Sequence, residues 1–240
     1  MSALAFADPT FESQAAFRRI MRALSAPGTI LACGEALAPP PPLARAAAAT
    51  LLTLADFETP LWIAPSFPAA IGDYLAFHTG APRAAAPDKA VFALVDLSAD
   101  GLDLARFALG TAEYPDRSTT IVVQTASLDA GPRLRLTGPG VRGEAQLAVA
   151  SLPADFAAQW AEIRAGFPLG VDLVFAADAR LAALPRSTAI IEGARCCMSR
   201  SKAASARSPT PTLCSPTSAA ATAASSRSRR GRSKSSFRSP

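Results

Sequence analysis

Histidine is the side chain best suited to proton transfer near neutral pH, and this 240-residue chain has one, His78. A transition-metal site needs several nitrogen or sulfur ligands. No second histidine can join His78, and Cys33 is the only cysteine before residue 196. A Ser-His-Asp unit would also have to use His78, yet no GxSxG elbow supplies the serine. His78 is therefore expected at a helix end, bonding locally. Schiff-base chemistry needs a lysine of lowered pKa. The only lysine ahead of Lys202 is Lys89, in the loop Pro87-Asp88-Lys89, and a solvated loop lysine forms imines poorly. Glu113-Tyr114-Pro115-Asp116-Arg117-Ser118 is rich in polar groups. Asp116 and Arg117 have no neighbouring nucleophile or base, so a structural turn with a local ion pair is expected.

Gly138-Pro139-Gly140-Val141-Arg142-Gly143 fits the GxGxxG pattern and follows a strand-like run. A dinucleotide site would open a helix at once. The next residues, Glu144 to Val149, alternate like a strand, so a tight turn between strands is expected. Cys196-Cys197 is a vicinal pair without metal-site spacing. No catalytic residue, cofactor-binding residue or metal ligand is assigned, and no cofactor is expected.

The elements around these residues read as follows. Asp8-Pro9-Thr10 starts a helix, with Phe11, Phe17, Ile20, Met21 and Leu24 largely on one face and Arg18, Arg19 and Arg22 nearer the other. Pro27-Gly28 ends it, and a short apolar segment, Thr29 to Ala32, follows. Pro39 to Pro42 is a rigid spacer before an alanine-rich helix from about Leu43 to Leu54. Strands are expected at Leu61–Ala64, Ala90–Val95, Ser118–Thr125, Arg133–Thr137, Val171–Phe175 and Ser187–Ile191, with helices at about Pro68–Phe77 and Pro153–Ala165. Interleaved helices and buried strands predict an α/β layered domain. Half of the residues are hydrophobic, enough for one sizeable core.

Charge divides the chain. Ten of its 24 basic residues and none of its 19 acidic ones lie from Arg195 onward. Residues 1–194 thus hold 14 basic residues against 19 acidic, a net of −5. An acidic body repels phosphates, which speaks against a nucleic-acid surface. Residues 195–240 are a basic tail rich in Ser, Ala and Arg, with almost no periodic hydrophobics, and are expected to be disordered. The first residues lack a secretory pattern, no long apolar run spans a membrane, and cysteine usage suits a reducing compartment, so the expectation is cytoplasmic.

Seven segments taken in order resemble one family. They are Phe17 to Gly28, Asp56 to Trp62, Phe77 to Pro82, Gly110 to Ser118, Leu136 to Gly140, Phe167 to Asp172 and Leu184 to Thr188. Each is weak singly; their order is similar to the PhnH family of the bacterial carbon–phosphorus lyase system, over about residues 10–193. The resemblance implies a three-layer αβα domain like that of PLP-dependent transferases, without the cofactor site. It implies a subunit that acts with PhnG, PhnI and PhnL to join the ribose triphosphate of ATP to a phosphonate, displacing adenine. PhnG, PhnI and PhnJ are the implied partners, with a homodimer in isolation. Nucleosidase chemistry belongs to PhnI in this picture, and the family offers no catalytic residue to carry over. The chain departs from the family after about Arg195. Met198 to Arg207 has codons that, shifted by one base, can spell the opening of a PhnI chain, so the tail resembles a neighbouring gene read out of frame. Two other classes remain: a free-standing small-molecule transferase or lyase on the same fold, and a nucleic-acid binder acting through the tail.

Overall fold

The computed structural model describes residues 5–191. The expected disordered tail at 195–240, the Cys196-Cys197 pair and the region of Met198 lie outside the described residues. Helix α1 (Pro9–Ser25) begins where the sequence signals it. The Asp8 side chain accepts the Phe11 N–H at 3.2 Å, and Pro9 occupies the first turn, where its missing N–H costs nothing. The face of α1 differs from the expectation. Ala16, Ile20 and Ala23 are buried, while Phe11, Phe17 and Met21 are exposed. Ala16 and Ala23, at i and i+7 around Ile20, let α1 lie close on its neighbours, and this turns Phe11, Phe17 and Met21 outward.

Helix α2 (Arg45–Leu54) is buried on every side through Ala46 to Leu51. Only a run of alanines allows such close approach from several directions at once. Helix α3 (Ala69–Thr79) packs beside it and ends at Gly80 in the left-handed region. Helix α4 (Phe156–Arg164) buries Phe156 and Trp160.

The described residues form two sheets. The larger has the order β1-β8-β7-β4-β3-β2, made of β1 (Leu31–Ala32), β2 (Leu61–Ile63), β3 (Phe92–Asp96), β4 (Thr120–Gln124), β7 (Asp172–Ala177) and β8 (Arg180–Leu184). Strands β2, β3, β4 and β7 run parallel; β8 and β1 close one edge antiparallel. The smaller sheet is antiparallel, β6-β5-β9, from β5 (Arg133–Thr137), β6 (Ala145–Ala148) and β9 (Ala189–Ile191). Strand β8 was not expected from the sequence.

Side-chain alternation assigns each face of the large sheet. Leu94, Val122, Val174 and Ala183 point to the layer of α1, α2 and α3. Val95, Ile121, Val123 and Phe175 point to the other side. That second layer is not purely helical: it combines the small sheet, through Leu134, Leu136 and Leu147, with α4 and the β3–β4 connection. The result is a mixed α/β domain around a mainly parallel sheet.

The connections β2–β3 and β3–β4 step in the same direction across the sheet but lie on opposite faces, so their hands are opposite. Right-handed crossovers dominate because a twisted strand and a right-handed helix pack back only that way. The first connection contains α3. The second has, between Leu97 and Thr119, one 3-10 turn at Leu104–Arg106. This irregular segment leaves a cleft against α4.

The Gly138–Gly143 segment is the β5–β6 hairpin turn, as its alternation predicted. Gly140 has φ +81°, and a Cβ there would lie 1.9 Å from the Ser25 carbonyl oxygen. The end of α1 is thus pressed onto this turn. Gly143 has φ +72° but open space around it. Replacing Gly140 with Ala therefore adds a backbone clash to the φ strain and should cost about 2–5 kcal/mol. Gly143→Ala should cost about 1 kcal/mol from φ strain. Thermal melts of the two variants, compared side by side, check the difference.

Candidate functional site

Ligands of open α/β sheets usually sit beyond the carboxyl ends of the parallel strands, where a helix N-terminus and loop side chains converge. Here that place is filled by Gln124, the last residue of β4. Its Oε1 accepts the Ala44 N–H at 2.7 Å, and its Nε2 donates to the Pro42 carbonyl at 3.0 Å and to Asp96 Oδ2 at 3.1 Å. The start of α2 is occupied further: the Ala46 N–H donates to the Asp178 carbonyl at 2.7 Å. Arg45 pairs with Asp178 at 2.7 Å on the surface, and this guanidinium holds the Asp178 carboxyl below its usual range. A shallow depression of about 470 Å³ remains, lined by Pro41, Arg45, Gln124 and Thr125 among others. Gln124, Thr125, Arg45 and Asp178 all have bonds within the chain.

The residues singled out from the sequence do not converge. His78 is in the last turn of α3, as expected, against the rings of Tyr74 at 4.8 Å and Phe77 at 5.0 Å. Burial pushes the Tyr74 hydroxyl up. Lys89 lies in a 3-10 turn and pairs with adjacent Asp88 at 2.9 Å. Arg117 does not pair with Asp116; its guanidinium lies over the Tyr114 ring, 4.1 Å from the centroid. The turn is structural, but its local contact is cation–π, because the planar guanidinium stacks on the ring. Cys33 is fully buried, and burial pushes its thiol up to about 11.

The strongest polar cluster escaped the sequence reading. Arg186, in the β8–β9 loop, grips Asp172 at the start of β7 through Nε and Nη2. Its Nη1 donates to the Pro115 carbonyl at 2.7 Å and its Nη2 to Ser118 Oγ at 2.5 Å. Asp172 also accepts the Arg186 backbone N–H at 2.8 Å. The side chains of Arg186 and Asp172 are only 18% and 20% exposed, so the pair is held in a poorly solvated setting. Ser118, Asp172 and Arg186 all lie within the family-like segments, but residue type gives no sign that segments so far apart meet. Gln124, a polar residue ending a β-branched run, was the other signal available.

This cluster sits at the amino ends of β4 and β7, opposite the carboxyl-end crevice, since Thr120 and Asp172 are partners in register. It offers no free base or nucleophile; its chemistry is to fasten the 110–118 loop to the sheet. Another opening is a cleft of about 760 Å³ between the β3–β4 connection and α4, lined by Trp62, Asp103, Phe107 and Glu162 among others. Among the described residues no group of three or more His, Cys, Asp and Glu is placed to hold a metal ion, and no helix is long and apolar enough to cross a membrane.

Two outcomes follow for these groups. Arg186→Lys keeps the charge but loses the two-pronged grip, and should lower folding stability by about 2–4 kcal/mol in urea titration. In a chain with Cys196, Cys197 and Cys214 changed to Ser, Cys33 should resist a disulfide reagent at pH 8. One thiol should become titratable once denaturant is added, because a thiol held near pH 11 is almost wholly protonated at pH 8.

Comparison with known proteins agrees with the segment order. A family model described as bacterial phosphonate metabolism protein (PhnH) matches residues 4–191. The chain is 43% identical over 185 residues to a Rhizobium meliloti (strain 1021) protein named alpha-D-ribose 1-methylphosphonate 5-triphosphate synthase subunit PhnH; the match covers 77% of this chain and 92% of that one. It is 37% identical over 181 residues to HtxG of Stutzerimonas stutzeri, provisionally named a C-P lyase subunit, covering 74% and 85%. The fold described above, read with these matches, is that of a chain that belongs to the PhnH family of bacterial phosphonate metabolism proteins.

Proposed function

We propose that this chain is a subunit of the carbon–phosphorus lyase machinery. With PhnG, PhnI and PhnL it serves to make alkylphosphonate ribose triphosphate from ATP and a phosphonate, and it performs no chemistry by itself. The observation that carries this reading is the 43% identity to a named synthase subunit along 92% of that protein. The self-bonded crevice at Gln124 and Asp178 supports the non-catalytic part, because its hydrogen-bonding groups are committed within the chain. The likeness to PLP-dependent transferases, without their cofactor, belongs to the same reading.

The implied partners are PhnG, PhnI and PhnJ, with a homodimer when the chain is isolated, all in the cytoplasm. Exposed Phe57 and Phe77, 74% and 83% accessible, support a subunit that covers apolar surface on assembly. Residues 195–240 have no assigned role in this reading, whether they are a genuine extension or a frame-shifted relic.

The experiment is reconstitution. The isolated chain with ATP and methylphosphonate should release no adenine. Addition of PhnG, PhnI and PhnL should give turnover that depends on this chain. Robust adenine release by the isolated chain would instead favour a free-standing transferase or lyase. Sedimentation at micromolar concentration should give a dimer for the isolated chain.

A further inference from the structure

The cleft between the β3–β4 connection and α4 has an apolar floor and an acidic rim. Val95, Phe107, Leu109 and Ile163 form much of the floor. Asp103 stands on one wall; Asp155 and Glu162 stand on the other. The two walls are tied by Gln159, whose Oε1 accepts the Leu104 N–H at 3.0 Å while its Nε2 donates to the Leu102 carbonyl at 3.3 Å. The cleft is therefore held open at a fixed width by α4 itself.

Charge decides what can enter. The one basic residue of the lining, Arg106, is drawn over the Trp62 ring, 5.7 Å from its centroid. No Lys or Arg among the described residues pairs with Asp103, Asp155 or Glu162. A triphosphate or phosphonate would meet like charge on both walls and would lose its hydration without compensation. A single small amine fits poorly too. Asp155 and Glu162 are seven residues apart on α4, about 10 Å along the axis, so one ammonium cannot meet both. A polypeptide with two or more spaced basic side chains can, and it can seat an apolar side chain between them on the floor.

We propose that this cleft is a docking groove for a basic, partly apolar segment of another subunit of the assembly. This inference rests on the subunit reading above. Asp103 and Glu162 face the incoming basic groups, and Phe107 and Leu109 receive the apolar side chain between them. Complementary charge on such a rim steers association and fixes register more than it adds raw affinity.

The test uses the full chain and the complete set of partner subunits. Association of wild-type chain, of Asp103→Asn/Glu162→Gln and of Asp103→Lys/Glu162→Lys with the remaining subunits is measured by sedimentation at several salt concentrations. All four substitutions are at exposed positions, and circular dichroism checks that each variant is folded. The neutral variant should bind several-fold more weakly, and the reversed variant at least about ten-fold more weakly, with a reduced dependence on salt. Turnover at saturating concentrations of this chain should be restored in both. Wild-type-like binding of the reversed variant would overturn the docking groove and leave the subunit reading intact. Failure of the wild-type chain to bind the other subunits at all would overturn the subunit reading itself.

Discussion

Strands β3, β4 and β7 are buried on both faces, and the rest of the molecule follows from that. Ile121, Val122 and Val123 are each fully shielded from solvent, as are Leu173, Val174 and Phe175. A parallel sheet so placed needs an apolar cover on each side, since its strands carry no wet face. One cover is the helical layer, where the alanines of α2 let a helix sink between two others. The other is assembled from smaller parts: a three-stranded sheet, α4 and an irregular connection. Trp160 joins these parts, stacking near Phe156 and donating its Nε1–H to the Thr188 carbonyl at 2.9 Å. Burial of an aromatic surface of this size is worth several times the net value of any one hydrogen bond in the domain.

The same two-sided burial raises the stakes at the strand ends, where the polar backbone emerges. Each end is closed by one side chain with several bonds. Gln124 closes the carboxyl ends through Ala44, Pro42 and Asp96. Arg186 closes the amino ends through Asp172, Pro115 and Ser118. A neutral amide and a paired guanidinium solve the same problem at different cost. The amide has three bonds without a buried charge. The ion pair must offset the desolvation of two charges, which it does by adding contacts to a carbonyl and a hydroxyl. Both closures commit their polar groups within the chain, and the one at Gln124 lies at the carboxyl ends, where open α/β sheets usually receive ligands.

Sequence reading went furthest where a signal was local. The alternation Arg133-Leu134-Arg135-Leu136-Thr137 gave β5 with its bounds, and the β-branched run gave β4, because one or both faces of those strands leave a mark on composition. Asp8-Pro9 marked the start of α1 through its cap. Strand β8 was missed for two reasons. Arg180-Leu181-Ala182-Ala183-Leu184 suits a helix as well as a strand. The turn before it uses Asp178 at φ +49° in place of the Asn-Gly or Gly signal that usually betrays a hairpin. The buried face of α1 was read correctly at Ile20 and Leu24 but not at Phe11, Phe17 and Met21, because close helix packing selected Ala16 and Ala23 in place of large apolar residues. The Arg186–Asp172 grip was out of reach, since its members are separated in sequence and only the fold brings them to the 110–118 loop.

The functional reading depends on the same division between what is local and what is assembled. Each of the seven family segments is short and weak by itself, but the structure gives several of them a shared task. The α1 terminus, Ser25 to Gly28, meets the Gly138–Gly140 turn. The Gly110–Ser118, Phe167–Asp172 and Leu184–Thr188 segments meet at Arg186: Gly110 passes close to the Pro115 carbonyl, and the Gly170 N–H donates to the Leu109 carbonyl at 2.9 Å. These contacts hold the fold together. Five of the seven segments thus join the scaffold, while the other two, Asp56 to Trp62 and Phe77 to Pro82, carry the exposed Phe57 and Phe77. The acidic body and the cleft beside α4 are the features of the surface in which charge and shape coincide.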